Sequence, residues 1–442
     1  MKVIYECDKG VMKFNFVLEV DDKTSYTIQQ NSYKRRATVS LWRRTCEIHL
    51  PQDWTLHSAH PDLLALAAVS IIYPFIGSKI TLSKGVSNDF HNTFKKVTGK
   101  EILPIDPKLK PRKARADSVP ALAYSGGVDS TAAAILLPKS SHLLYMNRMT
   151  PKGIQLQRTL LNQEAAYFAC ESMKKLGRNV HSIKTDLPFV RKPAGFHTFL
   201  SDSVPSILLA DYYRFDSLAN GHTLEEGYQV GYNGYLDAKE GPVIKVWAEL
   251  LKAVDMPYCL PTIGLSEVCT SKIVMNSPYE KFTQACSRGK IQRPSMNCYK
   301  CFRKTLLEKV LKKETIDDQL LNRLFKIQDA QHVLAVSPIH FENVITYICS
   351  KYNGNHPTMN LLKKKTRGDI LDTAWMEKWN ISSIEFIPSK YQQHIKNEIS
   401  KYVETMNKQD EENMKNFNYK HLTNSAEYAS YNAKLKELFS RL

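Results

Sequence analysis

The sequence predicts an α/β fold in which a parallel sheet is preceded by an α+β region and followed by a helical C-terminal region. Three observations lead there. From Val119 onward short apolar runs alternate with helical stretches, as in a sheet covered on both faces. Within the first 50 residues apolar and polar residues alternate in short runs, the pattern of antiparallel strands. Beyond about residue 305 the chain looks helical. The expected organisation is an α+β domain over 1–103, a connector over 104–118, the parallel-sheet domain over 119–305 and a helical region over 306–442.

Taken in order, Phe14, Phe16 and Leu18, and then 37–50 with Val39, Leu41 and Trp42, read as strands with Asp21-Asp22 as a turn. His60-Pro61-Asp62 starts a helix, with Asp62 near its positive end and the apolar run from Leu63 filling it. Residues 80–82 suggest another strand. Pro104, Pro107, Pro111 and Pro120, among basic residues, mark the extended connector. Next come the strand Ala121-Leu122-Ala123-Tyr124, a glycine-containing turn, a helix over 130–137 and the strand Leu143-Leu144-Tyr145-Met146. A helix over 162–176, a strand over 180–183, a helix over 205–213 and the strand Ser217-Leu218-Ala219 follow, the last ending at Asn220-Gly221-His222. Residues 304–312, 316–327 and the polar-basic stretch from Ser389 are helical in pattern, interrupted by Lys363-Lys364-Lys365, Pro357 and Gly368. They read as a cap on the central domain, with a substrate- or partner-binding element as the alternative.

A chain of 442 residues can bury a core without disulfides, and 43% apolar residues are those of a globular protein. The 61 basic residues exceed the 44 acidic ones, which favours an anionic partner such as a nucleotide, a nucleic acid or an acidic protein face. Charged residues interrupt the first 15 positions, so no secretory leader is expected. The run 63–76 is too short to span a bilayer and contains Pro74, so a buried helix is expected and no membrane partner. Nine cysteines without a regular framework, three of them (Cys286, Cys298 and Cys301) close together, point to a reducing cytoplasm.

The strongest local feature is Ser125-Gly126-Gly127-Val128-Asp129-Ser130, between an apolar strand and an alanine-rich helix. Two glycines allow a tight turn that brings several N–H groups round one anion. Ser130 lies at the helix start, where unpaired N–H groups and the positive helix end favour phosphate. Ser125 and Ser130 add hydroxyl donors, and Asp129 suits Mg²⁺ or the orientation of the loop. The segment lacks the Gly-Lys-Ser/Thr ending of a Walker A loop.

This hexapeptide resembles the PP-loop of the N-type ATP pyrophosphatases, which include GMP synthetase, asparagine synthetase, tRNA thiolases and 7-cyano-7-deazaguanine (preQ0) synthase. The resemblance implies an adenine nucleotide alpha hydrolase-like domain that binds ATP through residues 125–130 and Gly221, with Mg²⁺. It also implies attack of a substrate oxygen on the α-phosphate and release of pyrophosphate. Among these enzymes residues 118–305 look most like preQ0 synthase, through Phe199-Leu200-Ser201, Gly221-His222, Leu265-Ser266-Glu267-Val268 and Lys272-Ile273-Val274. Cys286, Cys298-Tyr299-Lys300-Cys301 and Arg303 resemble its zinc-binding tail. That tail has four cysteines, and Ser295 stands where one of them is expected; Cys269, a histidine or water could complete a structural Zn²⁺ site, or the thiols could be buried without metal.

The expected catalytic residues are Asp129, Ser130, Lys184 and His222. Arg158, Lys184 and Arg303 are candidates for phosphate or an acidic substrate, Glu225 and Glu226 for Mg²⁺, and Tyr228, Tyr232 and Tyr235 for a flat base; each has packing or a solvated surface as its alternative. The implied function is ATP-dependent activation of a 7-deazaguanine carboxylate, giving an amide or nitrile or joining the base to a macromolecule. The added regions resemble those of preQ0-synthase-like proteins in bacterial antiphage defence, which implies a protein partner from the same operon. The alternatives are a tRNA- or nucleic-acid-modifying enzyme and an ATP-holding scaffold without turnover.

Overall fold

The computed structural model describes residues 1–30, 35–154, 162–232, 234–286, 288–417 and 425–441. In chain order its strands are β1 (Lys2–Asp8), β2 (Val11–Val17), β3 (Ser25–Gln30), β4 (Arg35–Leu41), β5 (Thr45–His49), β6 (Lys79–Val86), β7 (Glu101–Ile105), β8 (Val119–Ala123), β9 (His142–Arg148), β10 (Asn179–Thr185), β11 (Arg191–Lys192) and β12 (Phe215–Ala219). Nine of them form one sheet in the order β12-β8-β9-β10-β5-β2-β1-β6-β7, and β11-β4-β3 form a second, small sheet. β12, β8, β9 and β10 run parallel, as the alternating pattern predicts. Antiparallel pairing then carries the sheet through β5, β2 and β1, and β6 and β7 add to β1 in parallel.

The N-terminal strands therefore extend the central sheet. β5 meets β10 at only two register pairs, His49 with Lys184 and Ile48 with Thr185. Asp186, just past β10, reinforces the seam: its Oδ1 accepts from the Glu47 N–H at 2.7 Å, and its Oδ2 pairs with Arg43.

Alternation along the parallel strands divides the interior. Ala121, Leu144, Met146 and Ile183 enter one core, whereas Leu122, Leu143 and Tyr145 enter another. The first core holds α1 (Pro61–Ile72), buried from Asp62 to Ile72 as its apolar run predicts, and the short α5 (Val204–Leu208), which packs on it. At its entry Asp62 accepts from the Ser87 N–H and hydroxyl at 2.8 and 2.7 Å, joining α1 to the cap of α2 (Asn88–Thr98). The second core holds residues of α3 (Val128–Leu136), α4 (Glu164–Lys175) and, beyond α6 (Leu224–Gly227) and α7 (Pro242–Ala253), α8 (Glu267–Met275). The helix expected over 205–213 is shorter. It stops at Leu208, and the chain closes through Arg214 at φ +61°, with the Phe215 N–H returning to the Ala210 carbonyl at 2.7 Å.

The C-terminal region is helical, as expected. α9 (Tyr299–Leu311) is followed by α10 (Asp318–Phe325), α11 (Gln328–Leu334), α12 (Glu342–Lys351), α13 (Pro357–Lys365), α14 (Ser389–Ser400), α15 (Lys408–Asn416) and a last helix, Ala426–Ser440. α11 and α12 pack on α9, and α14 packs on α3. On α14, Tyr391 donates to both carboxylate oxygens of Asp216 at 2.9 and 2.7 Å, and Lys390 reaches the Ser118 carbonyl at 2.6 Å. Among the described residues no helix is long and apolar enough to cross a membrane.

The connector is pinned by one side chain. Buried Arg112 donates to Asp211 Oδ1 and to the carbonyls of Phe215, Val254 and Asp255 at 2.7 to 3.0 Å. Replacing it strands those carbonyls in the interior. Arg112→Met should lower unfolding stability by about 3 kcal/mol, read as a lower urea midpoint with an unchanged slope.

Candidate functional site

The loop after β8 is shaped by two close approaches. Gly126 sits at φ +76°, and a Cβ there would lie 3.1 Å from the backbone of Ala166 on α4. Gly221, just beyond β12, lies against the loop, where a Cβ would come within 2.6 Å of the Ser130 amide nitrogen. Ser125 Oγ and Ser130 Oγ are 3.0 Å apart, and Ser130 Oγ also donates to the Gly127 carbonyl at 3.1 Å. Gly127 begins α3 without a side-chain cap, so no side chain competes for the helix's first amides.

Two adjoining cavities of about 270 and 250 Å³ open on this loop. They share Ala123, Ser125, Gly127, Asp202 and Lys300. The first is walled by Tyr124, Leu144, Tyr145 and Met146 at the carboxyl ends of β8 and β9, with Ala165 and Ala166 opposite. Gln163 fixes that wall. Its Oε1 accepts from the Tyr145 hydroxyl and the Arg148 N–H at 2.7 and 2.9 Å, and its amide donates to Asn147 and the Arg148 carbonyl.

The second cavity is polar, lined by Asp129, Asp202, Asn220, His222, Glu226 and the shared Lys300 among others. Burial pushes the Asp202 carboxyl up and the His222 imidazole down, and their mutual attraction opposes both shifts. Glu226 is pushed up to about 7 by desolvation in the cleft and then by the charge of Asp129. Asn220 is buried; its Oδ1 accepts from the His222 N–H at 3.1 Å, while its Nδ2 has no partner among the described residues. A buried amide donor left unpaired costs about 1–3 kcal/mol, which a ligand accepting from it would recover.

Behind the loop stands a buried ionic knot. Glu267, at the start of α8, accepts from Arg303 Nε and Nη2 at 2.8 and 2.7 Å, and Lys304 Nζ lies 3.4 Å away. Burial alone would raise Glu267, but the charges of Arg303 and Lys304 outweigh it and hold the carboxyl at about 2. The Glu267 N–H donates to Glu225, which also accepts from Asn343 of α12 at 2.7 Å. One turn along α8, Thr270 donates to Asp129 Oδ1 at 2.7 Å, and Lys304 stands 3.6 Å from the same oxygen.

The three cysteines come together as their spacing suggests. The sulfurs of Cys286, Cys298 and Cys301 lie within 4.8 Å of one another, and all three residues are buried. Cys286 also lines the first cavity, so the cluster forms part of the cleft wall.

Of the residues expected at the site, Ser125, Gly126, Gly127, Asp129, Ser130, Gly221 and His222 meet at the cleft, with Val128 opening α3 beside them. Lys184 does not join them. Strand alternation leaves it exposed on β10, opposite His49, and it lines neither cavity. Glu226 reaches the cleft, whereas Glu225 is buried in the knot with Arg303. Tyr228 stacks on Tyr235, and Tyr232 packs edge-on against His340 and Phe341, so these three rings serve packing. Cys269 lies away from the cluster, its thiol donating to the Met376 carbonyl at 3.2 Å, which removes it as the fourth ligand. Arg158 lies outside the described residues. Sequence reading missed Lys300, although it sits between two of the cysteines, and Asp202, one residue past the quoted Phe199-Leu200-Ser201. It also missed Thr270 and Lys304, whose proximity to Asp129 depends on α8 and α9 packing.

Removing Arg303 strands the Glu267 charge. Arg303→Leu should cost about 3–5 kcal/mol of stability, and adding Glu267→Met should recover much of it. Glu267 is held below its ordinary 4.5, so its contribution is full above pH 4.5 and lost as the pH falls towards 2. Acid titration of unfolding should show a component of about 3 kcal/mol over that window in the wild type. Glu267→Gln should lack it.

A family model described only as a family of unknown function (DUF6395) matches residues 246–418. That segment takes in Glu267, Arg303 and Asn343 of the knot, the cysteine cluster and much of the C-terminal region; Glu225 and the 125–130 loop lie outside it, and it spans less than half the chain. No curated protein and no solved structure matches the chain.

Proposed function

We propose that the chain is a PP-loop ATP pyrophosphatase that activates the carboxylate of a 7-deazaguanine. The reading is carried by the 125–130 loop, which joins a parallel strand to an uncapped helix start and opens on a two-lobed cleft. Together the lobes fit the size range of small-molecule sites, roughly 300–1,000 Å³. The lobe between β8 and β9 offers an apolar slot for adenine. The loop amides, with the Ser125 and Ser130 hydroxyls, would take phosphate oxygens, and the Lys300 ammonium would face the departing pyrophosphate. The polar lobe would hold the acid, with the Asn220 amide donating to it and the neutral His222 beside it.

In the reaction the substrate carboxylate oxygen attacks the α-phosphorus, and the bond to the bridging oxygen breaks with its electron pair leaving on pyrophosphate. Ammonia then attacks the acyl carbon, expelling AMP and losing a proton, to give the amide. A second equivalent of ATP would activate the amide oxygen, and loss of AMP together with both remaining protons of the nitrogen would give the nitrile. Asp129 and Glu226 are the carboxylates placed to hold Mg²⁺, which would offset triphosphate charge. Zn²⁺ belongs with the cysteines, in a structural role. Service in antiphage defence, with a protein partner from the same operon, follows from the resemblance of the chain's layout and motifs to the defence proteins.

One surface favours a nucleic-acid acceptor as a second reading. Phe196 and Phe199 are exposed at the cleft, Phe199 edge-on to His222 at 5.8 Å; nearby, Lys192 lies over the exposed ring of Trp42. Exposed rings beside cations suit unstacked bases.

Purified protein with Mg-ATP, ammonia and 7-carboxy-7-deazaguanine should form AMP, pyrophosphate and the amide or nitrile, followed by mass spectrometry. Asp129→Ala should form none. Absence of AMP above that control would favour an ATP-holding scaffold, and AMP formed only with added RNA would favour the second reading. Gly221→Ala forces the loop aside and should weaken ATP binding at least about tenfold, roughly 1.4 kcal/mol, by calorimetry with fold retained. Asn220→Leu should raise the KM for the acid about tenfold while leaving that for ATP nearly unchanged.

A further inference from the structure

We propose that Ser295 is itself the fourth zinc ligand, so that the metal is held by three thiolates and one serine hydroxyl. The inference rests on the reading that the cysteines bind zinc and is independent of the reaction assigned to the cleft. Ser295 Oγ lies 3.3 Å from the Cys286 sulfur and 3.6 Å from that of Cys301, while the Cys298 and Cys301 sulfurs are 3.5 Å apart. Zinc bonds of about 2.3 Å to sulfur and about 2.0–2.2 Å to oxygen, in a tetrahedron, make sulfur–oxygen edges of about 3.5 Å and sulfur–sulfur edges of about 3.8 Å. Two sulfur–oxygen edges and one sulfur–sulfur edge thus come close to those of a zinc tetrahedron, and the Cys286 sulfur lies within 4.8 Å of the other two.

The surroundings favour the hydroxyl as a donor to metal. Ser295 Oγ donates its proton to Asn297 Oδ1 at 2.6 Å, an acceptor that orients the oxygen and raises its basicity, as outer-shell partners of metal ligands do. The Ser295 N–H points at the Cys286 sulfur at 3.3 Å, where it would steady a thiolate. Met296, at φ +51°, turns the chain between Ser295 and Cys298.

Charge supplies the reason for serine. Three thiolates and a neutral hydroxyl leave a zinc centre with one net negative charge, whereas four thiolates leave two. Cys286 and Lys300 both face the cleft, so the exchange removes one negative charge beside a loop built to receive an anion.

The full-length protein, stripped of metal and reloaded with Zn²⁺ or Co²⁺, tests this. Wild type should bind one metal ion, with a tetrahedral cobalt spectrum and sulfur-to-cobalt intensity for three thiolates. Ser295→Cys should raise that intensity by about one third, the addition of a fourth thiolate. Ser295→Ala should shift the cobalt d–d bands, keep the three-thiolate intensity, and weaken zinc at least about tenfold in competition with a chromophoric chelator. Bands and affinity in Ser295→Ala that match wild type would overturn the serine ligand while leaving the zinc site standing. No stoichiometric zinc or cobalt in wild type of native circular dichroism would overturn both.

Discussion

The buried pair of Glu267 and Arg303 is the contact through which the rest of the site is held. Glu267 begins α8, and Arg303 lies on α9, the helix that also carries Cys301, Lys300 and Lys304. The Glu267 amide engages Glu225 beyond β12, and through Asn343 that carboxylate engages α12. Three regions far apart in sequence thus meet at one carboxylate. A buried ion pair is weak evidence for net stability, because desolvation offsets most of its attraction. Its value here is geometric: it fixes α8 and α9 relative to each other, and with them Thr270 and Lys304 against Asp129. The Arg303 guanidinium also lies over the Phe341 ring at 4.1 Å, a cation–π contact that helps hold its orientation.

Much of the fold could be read from the chain because its signals are local. The strand–turn–helix of β8 and α3 is written in five apolar residues and two glycines, and α1 in an apolar run that has to be buried. Strand partners were not legible. That β5 pairs with β10 depends on two register pairs and on Asp186, none of which leaves a trace in periodicity. The shortened α5 likewise ends through a backbone turn at Arg214, a residue type that does not announce a positive φ.

The candidate site divides in the same way. Residues of the loop, Gly221, His222 and the cysteines were legible because each lies in a short motif or at a strand end. Lys184 was misplaced because a lysine near a strand end has the same sequence signal on either face, and only the register decides. Lys300 and Lys304 were missed because their place depends on how α9 packs, and Asp202 because the short turn that carries it to the cleft leaves no periodic signal. For Cys269, burial among backbone carbonyls was indistinguishable in sequence from nearness to the other thiols.

The seam between β5 and β10 also orders events in time. A chain made from its amino terminus presents β1, β2 and β5 well before residues 179–185 exist. Until then the outer edge of β5 is an open row of backbone donors and acceptors, able to template pairing with another chain. Arg43 and Arg44 lie beside that edge, and their like charges repel a second copy there. When β10 arrives, Asp186 neutralises Arg43. Arg43 thus guards an unfinished edge during synthesis and locks it once the sheet is complete.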